Sequence, residues 1–243
     1  METAASLKEN LKTLHLKAIY ENLEQRTNEA ITGKLSYQDF LLHLTQDEIE
    51  RRKYQKMELN IKKGNFGKYK RIVEYDFDFN PKINRQEIYK YLTCEFIRKT
   101  ENLILCGPTG TGKTFLAKAI GVEACAKGFK VLFIRTTKML ETIYGGKADG
   151  SYTRKMQSFI KPEVLILDDF GLQAFSDREL SILNEVISER SETGSLIITS
   201  NRPIESWDEL FCEKVIASAL LDRIFHQSHI VKMEGKSYRR VCR

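Results

Sequence analysis

Residues 102–106 read NLILC, and residues 107–114 read GPTGTGKT. The first is a short apolar run; the second matches G-x-x-x-x-G-K-[ST] in full. Together they predict a buried strand that turns sharply into a helix. Gly107, Gly110 and Gly112 let the backbone turn tightly and bring its N–H groups close to phosphate oxygens. Pro108, Thr109 and Thr111 complete the loop. The helical stretch FLAKAIGVEACAK follows, so the positive end of its dipole faces the same point. In this pattern Lys113 reaches the β- and γ-phosphates of a nucleotide and the Thr114 hydroxyl holds Mg²⁺. The ligands expected are ATP and Mg²⁺.

Outward from this loop, the chain beyond residue 101 alternates apolar runs with helical segments. The runs are KVLFIR (130–135), EVLILD (163–168), SLIITS (195–200) and HIVKM (229–233). Strands separated by helices imply right-handed crossovers and a parallel sheet covered on both faces. The expected fold over 101–243 is therefore α/β, with five parallel strands in one doubly wound domain.

Ligands bind at the carboxyl ends of strands in such sheets. VLILDD (164–169) places two acids there, on what reads as a neighbouring strand. Asp168 is expected to hold Mg²⁺, and Asp169 to orient or activate water. SLIITSN ends in Asn201, whose amide suits the γ-phosphate or the attacking water. Arg223, in ALLDRIFHQSH, is the candidate arginine finger, supplied in trans by a neighbouring subunit. His226 and His229 stand three apart with no carboxylate or cysteine cluster beside them, and the lone Trp207 reads as a packing anchor.

Upstream, residues 1–67 read as a small helical domain that binds DNA or a partner. Leu7, Leu11, Leu14, Ala18, Ile19 and Leu23 recur at the spacing of one helix face. Gly33 interrupts, Ser36 is positioned to cap a helix from Tyr37, and Gly64 and Gly67 end it. Residues 68–100 form a connector, in which Tyr75, Phe77 and Phe79 alternate with acids. Asn80-Pro81 marks a turn, and Ile88 to Ile97 suggest a helix on the coming sheet.

The net charge of +6 is uneven. Residues 51–72 carry nine Lys and Arg against Glu58 alone, and Lys232, Lys236, Arg239, Arg240 and Arg243 cluster near the end. Such runs are candidate footprints on nucleic acid. Five cysteines, none in C-x-x-C spacing, do not suit a disulfide framework and point to a reducing, cytoplasmic setting. The N-terminal METAASLKEN lacks the apolar core of a signal peptide, and no apolar run reaches membrane-spanning length.

From about residue 75 onward the chain resembles the IstB and DnaC branch of the AAA+ ATPases. The strings that carry the likeness are GPTGTGKTFLAKAIG, KADGSYTR, LILDDFGL, IITSNRP, SALLDRIFHQSHIV and EGKSYR. KADGSYTR, SALLDR and EGKSYR point to IstB-like transposition helpers in particular, and LKTLHLKAIYENLEQ is similar to their helical domain. The resemblance implies a DNA-binding ATPase that oligomerises on duplex DNA and recruits or activates a cognate transposase. It implies that Lys113 and Thr114 bind nucleotide, that Asp168 and Asp169 are the Walker B pair and that Asn201 is the first sensor. Arg223 is then the finger and Arg239 a second sensor. Aspartate at 169, one methylene shorter than the glutamate common there, implies slow turnover, stimulated by DNA or the partner. A replicative helicase loader of the DnaC type is the alternative, and a nucleotide-gated module with negligible hydrolysis is a third reading.

Overall fold

Five strands form one sheet in a computed structural model, which describes residues 2–238. They are β1 (Asn102–Cys106), β2 (Val131–Arg135), β3 (Val164–Asp168), β4 (Ser195–Ser200) and β5 (Ser228–Lys232). Every neighbouring pair is parallel, in the order β2-β3-β4-β1-β5. The strands fall within a residue of the apolar runs that predicted them. β1, β3 and β4 are buried at every position, as a parallel sheet covered on both faces requires.

The order corrects one expectation. β3, with its two acids, is not the neighbour of β1, because β4 lies between them. A helical crossover has a preferred hand, but its sequence does not state how many strands it steps across.

The chain divides into two compact units, Met1–Leu59 and Asn60–Arg243. In the first, α1 (Glu2–Thr13), α2 (Lys17–Gly33) and the start of α3 (Tyr37–Lys63) surround a small core of Leu11, Ile19 and Leu44. The apolar face read as continuous from Leu7 to Leu23 is interrupted. His15 takes a positive φ of 56°, the chain reverses between α1 and α2, and Leu14 is left 63% exposed. A break of so few residues leaves helical spacing nearly intact, so periodicity alone does not reveal it. The buried Glu48 carboxylate accepts from the Ala18 N–H at 2.8 Å and so caps α2 from α3. Arg26 grips both oxygens of Asp47 (2.9 and 2.6 Å), and the Asp39 N–H donates to Ser36 Oγ as the expected cap of α3.

In the second unit, a 3₁₀ turn (Ile72–Glu74) precedes α4 (Arg85–Leu92) and α5 (Glu95–Arg98). The single helix expected across this stretch is thus two, separated by the buried Cys94 at φ 64°. They and α6 (Lys113–Ala126) cover one face of the sheet, where Ile88, Phe96, Leu116 and Ile120 pack on Leu103, Leu105, Ile166 and Ile197. The opposite face carries α7 (Thr136–Gly145), α8 (Tyr152–Ile160), α9 (Asp177–Arg190) and α10 (Lys214–Phe225), packed on Ile104, Leu165, Leu167, Leu196 and Ile198. Successive strand residues feed opposite cores, as pleating demands. Trp207 is fully buried against Phe170 and Phe225, the packing anchor expected. None of the described helices is long and apolar enough to cross a membrane.

The fully buried Arg190 ties α9 to this frame. Its Nη1 donates to the carbonyls of Phe159, Ile160 and Pro162 (2.7–2.9 Å) and its Nη2 to that of Ser195 (3.0 Å). Burial pushes the guanidinium pKa down to about 10. Arg190→Ala strands these acceptors and should cost at least about 3 kcal/mol in urea unfolding. Arg190→Lys, lacking the planar fork, should recover only part of that.

Candidate functional site

The loop from β1 to α6 owes its course to residues that tolerate positive φ. Gly110 stands at 88° and Gly112 at 96°. A Cβ at Gly110 would lie 2.1 Å from Ser237 Oγ, and one at Gly112 2.7 Å from the Tyr75 ring. The Gly107 N–H donates to the Ser200 carbonyl at 3.1 Å, which ties the loop to the tip of β4. The first helical residue, Lys113, is only 6% exposed; its Nζ lies 2.7 Å from the carbonyl oxygens of both Gly107 and Pro108.

The next residue joins the acid strand. Thr114 Oγ1 donates to Asp168 Oδ1 at 2.8 Å, and Thr199 Oγ1 donates to the same oxygen at 2.6 Å. Asp168 is 4% exposed, and its own carbonyl accepts from Thr136 Oγ1 at 3.1 Å. Asp169 follows at φ 55°, a left-handed conformation that Asp tolerates better than most residues. Its N–H donates to Thr199 Oγ1 at 3.1 Å. One hydroxyl on β4 therefore steadies both acids.

Lys113, Thr114, Asp168 and Asp169 share a cleft of about 480 Å³ with Asn201 and Arg135. Tyr75, Phe79 and Tyr238 also line it. The Tyr75 hydroxyl donates to the Thr111 carbonyl at 3.0 Å, and burial pushes its phenol pKa up to about 12. Phe79 meets Tyr238 edge to face, with ring centroids 4.9 Å apart. The segment after β5 folds back to bring Tyr238 there. The Met233 N–H donates to the Cys106 carbonyl (2.7 Å), the Tyr238 N–H to the Gly110 carbonyl (3.0 Å) and the Lys236 N–H to Asn80 Oδ1 (3.1 Å).

Of the residues expected at the site, Thr109 to Thr114, Asp168, Asp169 and Asn201 line this cleft. Gly107 and Pro108 complete the loop beneath it, through their carbonyls to Lys113. Arg223 does not line it; on the exposed face of α10 its Nη1 reaches Asn184 Oδ1 (3.2 Å) and the Ala219 carbonyl (3.3 Å). Arg239 lies outside the described residues. Sequence reasoning did not single out Thr199, Arg135 or Tyr238. Thr199 looks like any polar residue near a strand end, and Tyr75 and Phe79 were visible only as aromatics in a connector.

The donor set fits a magnesium nucleotide. A lysine ammonium and a glycine loop opening a helix suit phosphate oxygens. A hydroxyl bonded to a carboxylate is the hard-oxygen pair that Mg²⁺ prefers.

A family model described as IstB-like ATP binding protein matches residues 9–243. The chain belongs to this family. The ATP-binding protein of insertion sequence IS232 from Bacillus thuringiensis subsp. berliner is 33% identical over 95% of this chain and 92% of its own length. The ATP-binding protein Rv3427c of an insertion sequence in Mycobacterium tuberculosis is 35% identical, over 96% and 94%. Among solved structures, DnaI superposes on this IstB-like chain with a TM-score of 0.59 at 22% identity, over 68% of this chain and 90% of DnaI. The DnaC helicase loader gives 0.56 at 20% identity, over 70% and 97%. These likenesses establish the AAA+ P-loop fold for the IstB-like chain.

Two glycines should separate by sign. Gly110→Ala, at positive φ and against Ser237, is expected to lower stability by about 1–3 kcal/mol. Gly145→Ala, at the end of α7 with nothing near the added Cβ, should raise it by about 0.5 kcal/mol. Urea midpoints of the two variants check both signs.

Proposed function

We propose that this IstB-like chain is a slow ATPase of insertion-sequence transposition. It binds Mg²⁺–ATP in the cleft, assembles with copies of itself on duplex DNA, and recruits or activates a cognate transposase. The observation that carries the reading is the 2.8 Å bond between Thr114 and Asp168, which joins the phosphate loop to the acid strand. The transposition context is supported by relatives named for insertion sequences, at 33–35% identity over nearly their full length. The loader alternative is supported by likeness of fold alone, at 20–22% identity.

In this reading Lys113, whose Nζ donates to the Gly107 and Pro108 carbonyls, reaches anionic phosphate oxygens, a bond ionised on both sides. Thr114 and Asp168 would hold Mg²⁺, which supplies charge neutralisation for the β- and γ-phosphates. Thr199 fixes the orientation of Asp168 and the backbone of Asp169. Asp169 and Asn201 position the attacking water against the γ-phosphate. Tyr75, Phe79 and Tyr238 offer ring surfaces for the base. Arg239 is assigned as second sensor from sequence alone. Arg223, whose partners here are a neutral amide and a carbonyl, keeps its charge for a neighbouring subunit's transition state.

Variants and partner capture test this. Lys113→Ala should lose Mg²⁺–ATP binding in calorimetry, and Arg223→Ala should bind ATP normally yet lose about a thousandfold or more in turnover. Mixing the two variants should restore a measurable fraction of activity, because one supplies the finger and the other the cleft; no recovery would refute action in trans. Thr199→Val should lower kcat about 10- to 100-fold with little change in the KM for ATP. Capture of the insertion sequence's transposase, rather than a hexameric helicase, decides between the two partners.

A further inference from the structure

The helical unit Met1–Leu59 contains its own concavity, of about 590 Å³. Lys12 from the end of α1, His15 and Lys17 from the reversal, and Arg51 and Arg52 from α3 converge on it, with Glu48 as the one acid in its wall. We infer that this basin seats the sugar-phosphate backbone of duplex DNA. The inference rests on the proposed DNA-binding function and goes beyond it by assigning the contact to particular side chains.

Charge accounting within the unit supports the assignment. Glu48 is 6% exposed and already engaged, Oε2 by the Ala18 N–H and Oε1 by Arg52 Nε, both at 2.8 Å. That pair leaves Arg52 and Glu48 mutually neutralised. Of the other acids of the unit, Glu24 pairs with Lys8, and Asp47 and Glu29 with Arg26, while Glu9, Asp39, Glu50 and Glu58 lie outside the lining of the basin. Lys17 meets Glu21 only at 3.5 Å on the surface, a contact worth little. Among the described residues, Lys12 and Arg51 form no ion pair, and Lys12 Nζ sits 5.1 Å above the Tyr20 ring. In the lining of the basin Lys12, Lys17, Arg51 and Arg52 stand against Glu48 alone, and concavity focuses the field.

The basin's form selects a polymer backbone over a small ion. Lys12, His15 and Lys17 are exposed side chains, suited to solvated phosphates spaced along a strand. No described group in it offers the buried amide cradle that strips and holds a free phosphate. Contacts of this kind fix position without reading bases.

The test uses the full chain and a fluorescent duplex of arbitrary sequence, titrated by anisotropy over a range of salt. Lys12→Gln/Arg51→Gln should weaken binding about tenfold or more at low salt. It should also reduce the magnitude of the slope of log K against log salt by about 1.8, two phosphates at about 0.9 each. Lys12→Arg/Arg51→Lys, which keeps both charges, should bind as the parent does. Mg²⁺–ATP affinity and circular dichroism of the Gln pair should be unchanged. If that pair fails to fold, Lys12→Gln alone, on an exposed side chain, must still lose about 0.9 of slope. A parental slope in a folded Gln variant overturns the basin assignment and leaves DNA binding standing. An unmutated chain that shows no salt-dependent duplex binding overturns both. Inorganic phosphate that displaces the duplex better than chloride at matched ionic strength overturns the DNA assignment in favour of a free-phosphate site.

Discussion

A carboxylate with almost no exposure to water needs partners, and the way Asp168 obtains them organises the unit that holds the sheet. One oxygen receives hydroxyls from two directions, Thr114 at the start of α6 and Thr199 on β4. Those contacts bring the glycine loop, the acid strand and the strand between them to one point. Asp169 is drawn into the same junction through its N–H to Thr199, and its left-handed backbone ends β3 there. Because β4 separates β1 from β3, a β4 residue can serve both acids at once. Had β3 paired directly with β1, β4 would not bring Thr199 to the two acids or Asn201 to the cleft.

The sheet makes this junction rigid by being dry on both faces. Alternate residues of β1, β3 and β4 enter separate apolar cores, so tilting a strand would disturb both. Arg190 adds a polar brace where α8, α9 and β4 meet, its donors shared among carbonyls that the helix end and loop leave open. At the edge, the chain beyond β5 bonds through Tyr238 to Gly110 and through Lys236 to Asn80. The cleft thus combines charged and hydroxyl groups with rings, contributed by segments far apart in sequence.

Charge is divided in a comparable way. Inside the helical unit, Glu24, Asp47 and Glu48 are matched to Lys8, Arg26 and Arg52, and Lys12, Lys17 and Arg51 line the basin beside the reversal at His15. The same reversal that breaks the helix exposes Leu14 and lets Leu11 and Ile19 share a core with Leu44. One local backbone feature therefore shapes both the small core and the cationic basin.

From residue types and spacing alone came the glycine loop, the five strands to within a residue, the α/β class, and Lys113, Thr114, Asp168, Asp169 and Asn201 as one site. Each depends on short-range chemistry: positive φ at glycine, apolar runs bounded by helices, acids at a strand's end. Strand order, the service of Thr199 to both acids, the break at His15, the split at Cys94 and the aromatic wall of Tyr75, Phe79 and Tyr238 were decided only by the tertiary structure. Those features arise when distant segments compete to bury apolar surface and satisfy polar groups, and no local pattern records which partner each segment finds.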